Sequence, residues 1–160
     1  MNKQIIAISG ALMLCSSFMS HAMSCKEAHD VFHTISKVTR LKPIFKCSNG
    51  KEVNAYTTRS GVIIVTKGLL SFIKTKGELA TVIGHEFSHY SHQDLIFHSF
   101  GKHPEDELRS DVDGYSLCER IYKNHCLDFP VKMRQQFGDS GDRGVHPSWT
   151  YRINNMLLHK

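Results

Sequence analysis

The chain has 160 residues, 41% of them hydrophobic and 22% charged, with a formal net charge of +5. That length and balance suit one globular domain and exclude a fibrous repeat, a low-complexity tail or a multidomain assembly. Lys and Arg are scattered and no nucleic-acid motif accompanies them, so no nucleic-acid partner is expected and any attraction to anionic surfaces is weak.

Residues 1–22 read as a signal peptide. Lys3 supplies a short positive region, Ile5 to Leu14 an apolar stretch, and Ser20-His21-Ala22 a small-x-small cleavage site. The apolar stretch is too short to span a bilayer comfortably. Lipid attachment at Cys15 is disfavoured by Leu14 before it, and a retained anchor is the main rival to cleavage. The mature domain, residues 23–160, is therefore expected to be exported to the periplasm or beyond, with no membrane span of its own. Its four cysteines, Cys25, Cys47, Cys118 and Cys126, fit an oxidising compartment. No C-x-x-C pair is present, which favours disulfides over a four-cysteine zinc site. The pairing Cys25–Cys47 and Cys118–Cys126 closes two local segments.

In chain order, Ala28, Val31, Phe32, Ile35 and Val38 recur at helical spacing and predict an amphipathic helix over 26–39. Ile44-Phe45, Val53 to Thr57 and Val62 to Thr66 are short β-prone runs separated by turn residues. They predict a small, mainly antiparallel sheet of about three strands. From Gly77 the period becomes helical, and Leu79, Val82, Ile83 and Phe87 predict a buried helix running to about Gln93. A second helix is expected from Glu105 to Lys123, a short one from Pro130, and a last one opened by Pro147. The fold class is α+β, mostly helical.

The chemistry is concentrated in His85-Glu86-Phe87-Ser88-His89, an H-E-x-x-H sequence on the predicted buried helix. Residues i and i+4 share one helical face, so both imidazoles can reach one ion, and Glu86 stands beside the first of them as a general base. In a chain with 11 histidines such a pattern can arise by chance. The apolar flanks argue otherwise, because they pull the helix inside, where histidines and a carboxylate need partners. A catalytic zinc also needs a third protein ligand. Glu107 and Asp111 lie four apart on the next helix, with Gly114 a turn further on the same face. Glu107 could ligate the metal, Asp111 could hydrogen-bond a ligating imidazole, and Gly114 could let the helices approach. The rival reading is a solvated acidic face shared with Glu105 and Asp106. A metzincin third ligand would need Gly at 92 and His at 95, where the chain has His92 and Leu95. His92 itself lies near the ligand face but at a spacing that matches no zincin ligand.

Four blocks in order carry a resemblance to a family. They are Asn54-Ala55-Tyr56 with Gly61 to Thr66 and Gly68-Leu69-Leu70; Glu78-Leu79-Ala80 leading into His85 to His89; Glu107-x-x-x-Asp111-x-x-Gly114; and His146-Pro147 with Arg152-Ile153. In these blocks the chain resembles metallopeptidase family 48, the gluzincins of the HtpX and CAAX prenyl protease type. The resemblance implies a zincin-like domain holding one Zn2+ through His85, His89 and Glu107, with Glu86 catalytic and Asp111 behind the ligands. It also implies that His146 and Arg152 lie near the cleft. His146 could stabilise an oxyanion, take the open metal position in a latent state, or cap the last helix; Arg152 could pair with a carboxylate such as Asp111. Ser110 stands where the family often has Ala, and the transmembrane helices of its membrane members are absent from the sequence.

The expected reaction is zinc-dependent hydrolysis of peptide bonds in exported or envelope proteins, unfolded ones included. Asn54, Ala55 and Tyr56 would form an edge strand that pairs with extended substrate. The alternatives are a zinc-stabilised binding or chaperone-like module without turnover, which would have no need of Glu86, and an amidase using the same centre.

Overall fold

The computed structural model describes residues 22–94, 103–141 and 146–159; the signal-peptide expectation for 1–22 lies almost wholly outside them. Helix α1 (Cys25–Thr39) opens on a capping box, in which Ser24 accepts from the Glu27 amide and the Glu27 carboxylate accepts from the Ser24 amide. It buries Ala28, Val31, Phe32 and Ile35, the i, i+3, i+4, i+7 stripe of an amphipathic helix. Arg40 ends it in the left-handed conformation.

Strands β1 (Ile44–Ser48), β2 (Ala55–Thr57) and β3 (Val62–Thr66) form one sheet in the order β1-β3-β2. β2 pairs with β3 antiparallel, Ala55 opposite Val65, but β1 pairs with β3 parallel, Ile44 opposite Val62. The sheet is thus mixed rather than mainly antiparallel. The reason is the six-residue link 49–54. It does not turn back as a hairpin but crosses the end of β3 to reach the far edge. Gly68 makes the crossing possible: a Cβ there would come within 2.2 Å of the Lys51 carbonyl oxygen, and its amide donates to Gly50 O at 2.9 Å. Thr66 ties the junction. Its hydroxyl meets Glu52 O and Asn54 O, and accepts from the Leu69 amide as N-cap of α2 (Lys67–Phe72). This short helix has no counterpart among the predicted elements, because six residues with an early glycine carry too little periodicity to show.

Helix α3 (Lys76–His92) is buried along most of its length and packs against α1, β2, β3 and the next two helices. Thr75 and Glu78 form its capping box, and the Glu78 carboxylate, fully buried, also pairs with Lys132. Helix α4 (Pro104–Ile121) lies along α3, α5 (Asp128–Phe137) closes one end, and α6 (Trp149–Leu158) packs on α4 and α5. Pro130 falls inside α5 rather than at its start, and Pro147 precedes α6, whose N-cap is Ser148. Disulfides join Cys25 to Cys47, fastening α1 to β1, and Cys118 to Cys126, fastening the end of α4 to the turn before α5.

The closest packing is between α3 and α4. A Cβ on Gly114 would lie 2.4 Å from Thr81 O and 2.7 Å from His85 N, and one on Gly84 would lie 2.9 Å from Gly114 Cα. Two helix backbones meet here with no side chain between them. Gly114→Ala is expected to lower the unfolding free energy by about 1–3 kcal/mol through overpacking. Ser116→Ala, at an exposed site two residues on, should stay within about 0.5 kcal/mol. Urea denaturation of both variants checks this, and equal stabilities would mean that the contact is looser than described.

Candidate metal centre

The glycine contact brings the face of α3 that carries His85 and His89 against the face of α4 that carries Glu107 and Asp111. The two imidazole Nε2 atoms stand 3.0 Å apart. Glu107 reaches His85 Nε2 at 3.4 Å and His89 Nε2 at 3.3 Å. These three side chains form a buried cluster in which one donor atom from each lies within 4.8 Å of the others.

What stands behind the histidines fixes their chemistry. His85 Nδ1 is 3.0 Å from Asp111 Oδ1, and Arg152 grips both Asp111 oxygens at 2.6 Å while its guanidinium lies 4.2 Å from the Trp149 ring centre. His89 Nδ1 is 2.8 Å from Asp94 Oδ2, and Arg109 grips both oxygens of Asp94 at 2.6 and 2.7 Å. Each imidazole therefore has a carboxylate behind it, and each carboxylate has a guanidinium. An Nδ1–H given to a carboxylate leaves the Nε2 lone pair free, so two lone pairs and a carboxylate converge on one point. Only a proton or a cation relieves such a meeting. Burial disfavours protonation of His85, but its hydrogen bonds to Asp111 and Glu107 outweigh that and raise its pKa to about 9. Burial likewise works against the Glu107 anion, yet His146, His85 and His89 hold its pKa well below the ordinary carboxylate range. For Asp111, Arg152 and then His85 overcome burial and lower the pKa. Two imidazole nitrogens and one carboxylate oxygen suit a borderline ion such as zinc, and the donor set fits it.

Glu86 is buried beside the cluster and lines the same cleft, a cavity of about 310 Å3. The Thr57 hydroxyl sits 2.8 Å from Glu86 Oε2 and 3.0 Å from Glu86 O, so β2 holds this carboxylate in place. His146 lies across the cleft with Nδ1 3.0 Å from Glu107 Oε2. A Cβ on Gly141 would meet His146 O at 2.0 Å, so glycine lets the chain fold back against this segment. The cap of α6 is Ser148, not His146. His92 bonds Ser88 O on the exposed side of α3 and is outside the cluster. Asn54 and Ala55 line the cleft on the β2 side, while Tyr56 points outward.

The profile of peptidase family M48 matches residues 26–104, from α1 through α3 to the first residue of α4. The chain belongs to metallopeptidase family M48. No curated protein and no solved structure matches it significantly. The M48 match contains His85, Glu86 and His89 but stops before Glu107, so the third donor rests on geometry. No described helix is long and apolar enough to cross a membrane.

Asp94, Arg109 and Thr57 were not among the residues expected at the site. Asp94 comes just after α3, where Gln93 ends the helix with φ 56° and turns the chain back toward His89. A Gly, Asn or Gln in the left-handed position one residue before a carboxylate would have been the only sequence signal. Asp94→Asn is expected to weaken zinc affinity about 10–100-fold, read by chelator competition on full-length protein. An unchanged affinity would show that Asp94 serves only Arg109.

Proposed function

We propose that this M48 domain is a zinc-dependent endopeptidase acting on extended segments of exported proteins, with Glu86 as general base. The observation that carries the reading is the placement of Glu86 in the same cleft as the His85–His89–Glu107 cluster, with an open strand edge alongside. Bound zinc would be held by His85, His89 and Glu107 and would supply Lewis acidity, polarising a carbonyl and acidifying water.

The remaining work falls to side chains. Glu86 takes a proton from the attacking water and returns it to the leaving amine, and Thr57 orients its carboxylate for both transfers. Asp111 and Asp94 keep each imidazole in the tautomer that presents Nε2. Arg152 holds Asp111 ionised, and its own pKa is raised: burial opposes its charge, but Asp111, Glu107 and Glu86 together favour it more. His146 stands where its ring can meet negative charge developing on the substrate oxygen. β2 supplies binding. Asn54 O accepts from Thr66 N and Thr58 N donates to Val62 O, so the even-numbered residues face β3. The amide groups of Ala55 and Thr57 then point to the open side, toward a substrate strand. Recognition through backbone groups reads little sequence and suits unfolded chains. The two disulfides agree with an oxidising, exported setting.

Glu86→Gln should retain zinc and lose at least about 100-fold of casein or peptide turnover. A chelator should abolish wild-type activity and added zinc restore it. A well-folded Gln variant with wild-type turnover would sink the role of Glu86. A zinc-loaded wild type that binds unfolded protein without cleaving it would favour the chaperone-like module. Glu107→Ala should cut zinc affinity sharply, and full occupancy by metal analysis would point to another third ligand.

A further inference from the structure

A second pair of histidines repeats the spacing of the metal helix. His29 and His33 stand four residues apart on α1, so they share one helical face, a turn of about 5.4 Å apart. Both are exposed. Their ring centres are 6.3 Å apart and the rings are nearly parallel, at 18°. His29 is packed against other rings: Phe45 on β1 lies 6.0 Å away, edge to face, and Phe32 lies 6.3 Å away. Among the described residues, neither imidazole has a hydrogen-bond or ion-pair partner. Asp30, next to His29 in the chain, is given to Lys26 at 3.2 Å. A neutral imidazole without a partner has a nitrogen lone pair to offer a ligand.

The same molecule supplies the measure of a chelating pair. His85 and His89, at the same spacing, have ring centres 4.7 Å apart. The α1 pair must close from 6.3 Å to about that separation. His33 can make the movement, because exposed side chains exchange staggered rotamers freely. Phe32 and Phe45 keep His29 in place meanwhile. The helix beneath is fixed as well: Cys25, one turn before His29, is bonded to Cys47 on β1. The two pairs differ in what surrounds them. Among the described residues no third His, Cys, Asp or Glu joins the α1 pair, so water must fill the remaining positions of a bound ion. Two nitrogens with water oxygens suit a tetragonal ion, and imidazole affinity among divalent metals rises toward Cu2+. Mg2+ and Ca2+ want oxygen ligands and gain nothing here. No described residue of α1 or β1 lines the cleft, so the pair is separate from the metal centre.

We propose that His29 and His33 form a second metal site on the surface of α1, which takes a divalent transition metal of tetragonal preference, Cu2+ first and Ni2+ after it, through two imidazoles and water. The test titrates full-length, zinc-loaded protein with CuCl2, NiCl2 and MgCl2 by isothermal calorimetry, and records electron paramagnetic resonance of the copper form. The wild type should bind copper with a spectrum showing nitrogen coupling, nickel more weakly, and magnesium not at all. His29→Gln and His33→Gln should each weaken this copper binding at least about 100-fold, because either loss turns a chelate into a single ligand. His125→Gln, at an exposed histidine paired with Asp128 and with no histidine one turn away, should leave it unchanged. Zinc content and circular dichroism establish that each variant is folded. Copper affinity that neither α1 substitution moves would overturn the proposal. So would a loss confined to one of the two substitutions, since a chelate needs both, or magnesium binding as tight as copper. The peptidase reading stands or falls separately, because the pair lies outside the cleft.

Discussion

The site depends on how closely α3 and α4 approach. A side chain at position 114 would strike Thr81 O and the His85 amide. With glycine there, and Gly84 facing it, the two backbones come near enough for Glu107 to reach both imidazoles, with one donor atom of each residue inside 4.8 Å. An ordinary helix pair keeps its axes about 8–10 Å apart with side chains interleaved. At a larger separation the carboxylate would still belong to the same face but would fall short of a common ion. The glycine contact therefore does more for the chemistry than for the core.

Bringing three electron-rich donors together in a buried place is unfavourable unless each is balanced. The protein balances them from outside the cluster. Asp111 with Arg152 stands behind His85, and Asp94 with Arg109 behind His89. The arginines come from different helices, one from α6 and one from α4. The two clamps also join elements. Arg152 pins α6 to α4, and Arg109 pins the end of α3 to α4. A buried pair such as Arg152–Asp111 contributes little net stability when intact and costs several kcal/mol when one partner is removed, whereas Arg109 is partly exposed. Their value lies in fixing which nitrogen of each ring faces Glu107, a function an apolar core could not perform.

Much of this was legible in the sequence, and the reasons divide cleanly. His85 and His89 are related by helical periodicity, and so are Glu107, Asp111 and Gly114, so each face could be read from spacing alone. The buried stripe of α1 and the apolar run of α3 followed from the same rule. Periodicity says nothing about relations between elements. The parallel pairing of β1 with β3 was invisible, because alternation of side chains is the same in either direction and only the crossing of the 49–54 link decides it. Thr57 looked like one more strand residue, and its contact with Glu86 exists only because β2 packs across α3. Asp94 was missed since it stands beyond the last helical turn, where a left-handed residue at Gln93 breaks the register that spacing arguments need.

The family match divides the cluster between two parts of the chain. Residues 26–104 hold the sheet edge, Glu86 and two of the three donors. Beyond them come Glu107, both arginine clamps, His146 and the residues of α5 and α6 that line the cleft. The first group holds the edge strand and the buried carboxylate beside the cluster. The second group supplies the third donor of the cluster and the arginines that hold Asp111 and Asp94. Arg152 makes two kinds of contact: the edge of its guanidinium fastens Asp111, and its face lies against Trp149. Trp149 and the His85 imidazole are thus joined through Arg152 and Asp111 by two contacts, the guanidinium on the ring and the bidentate pair.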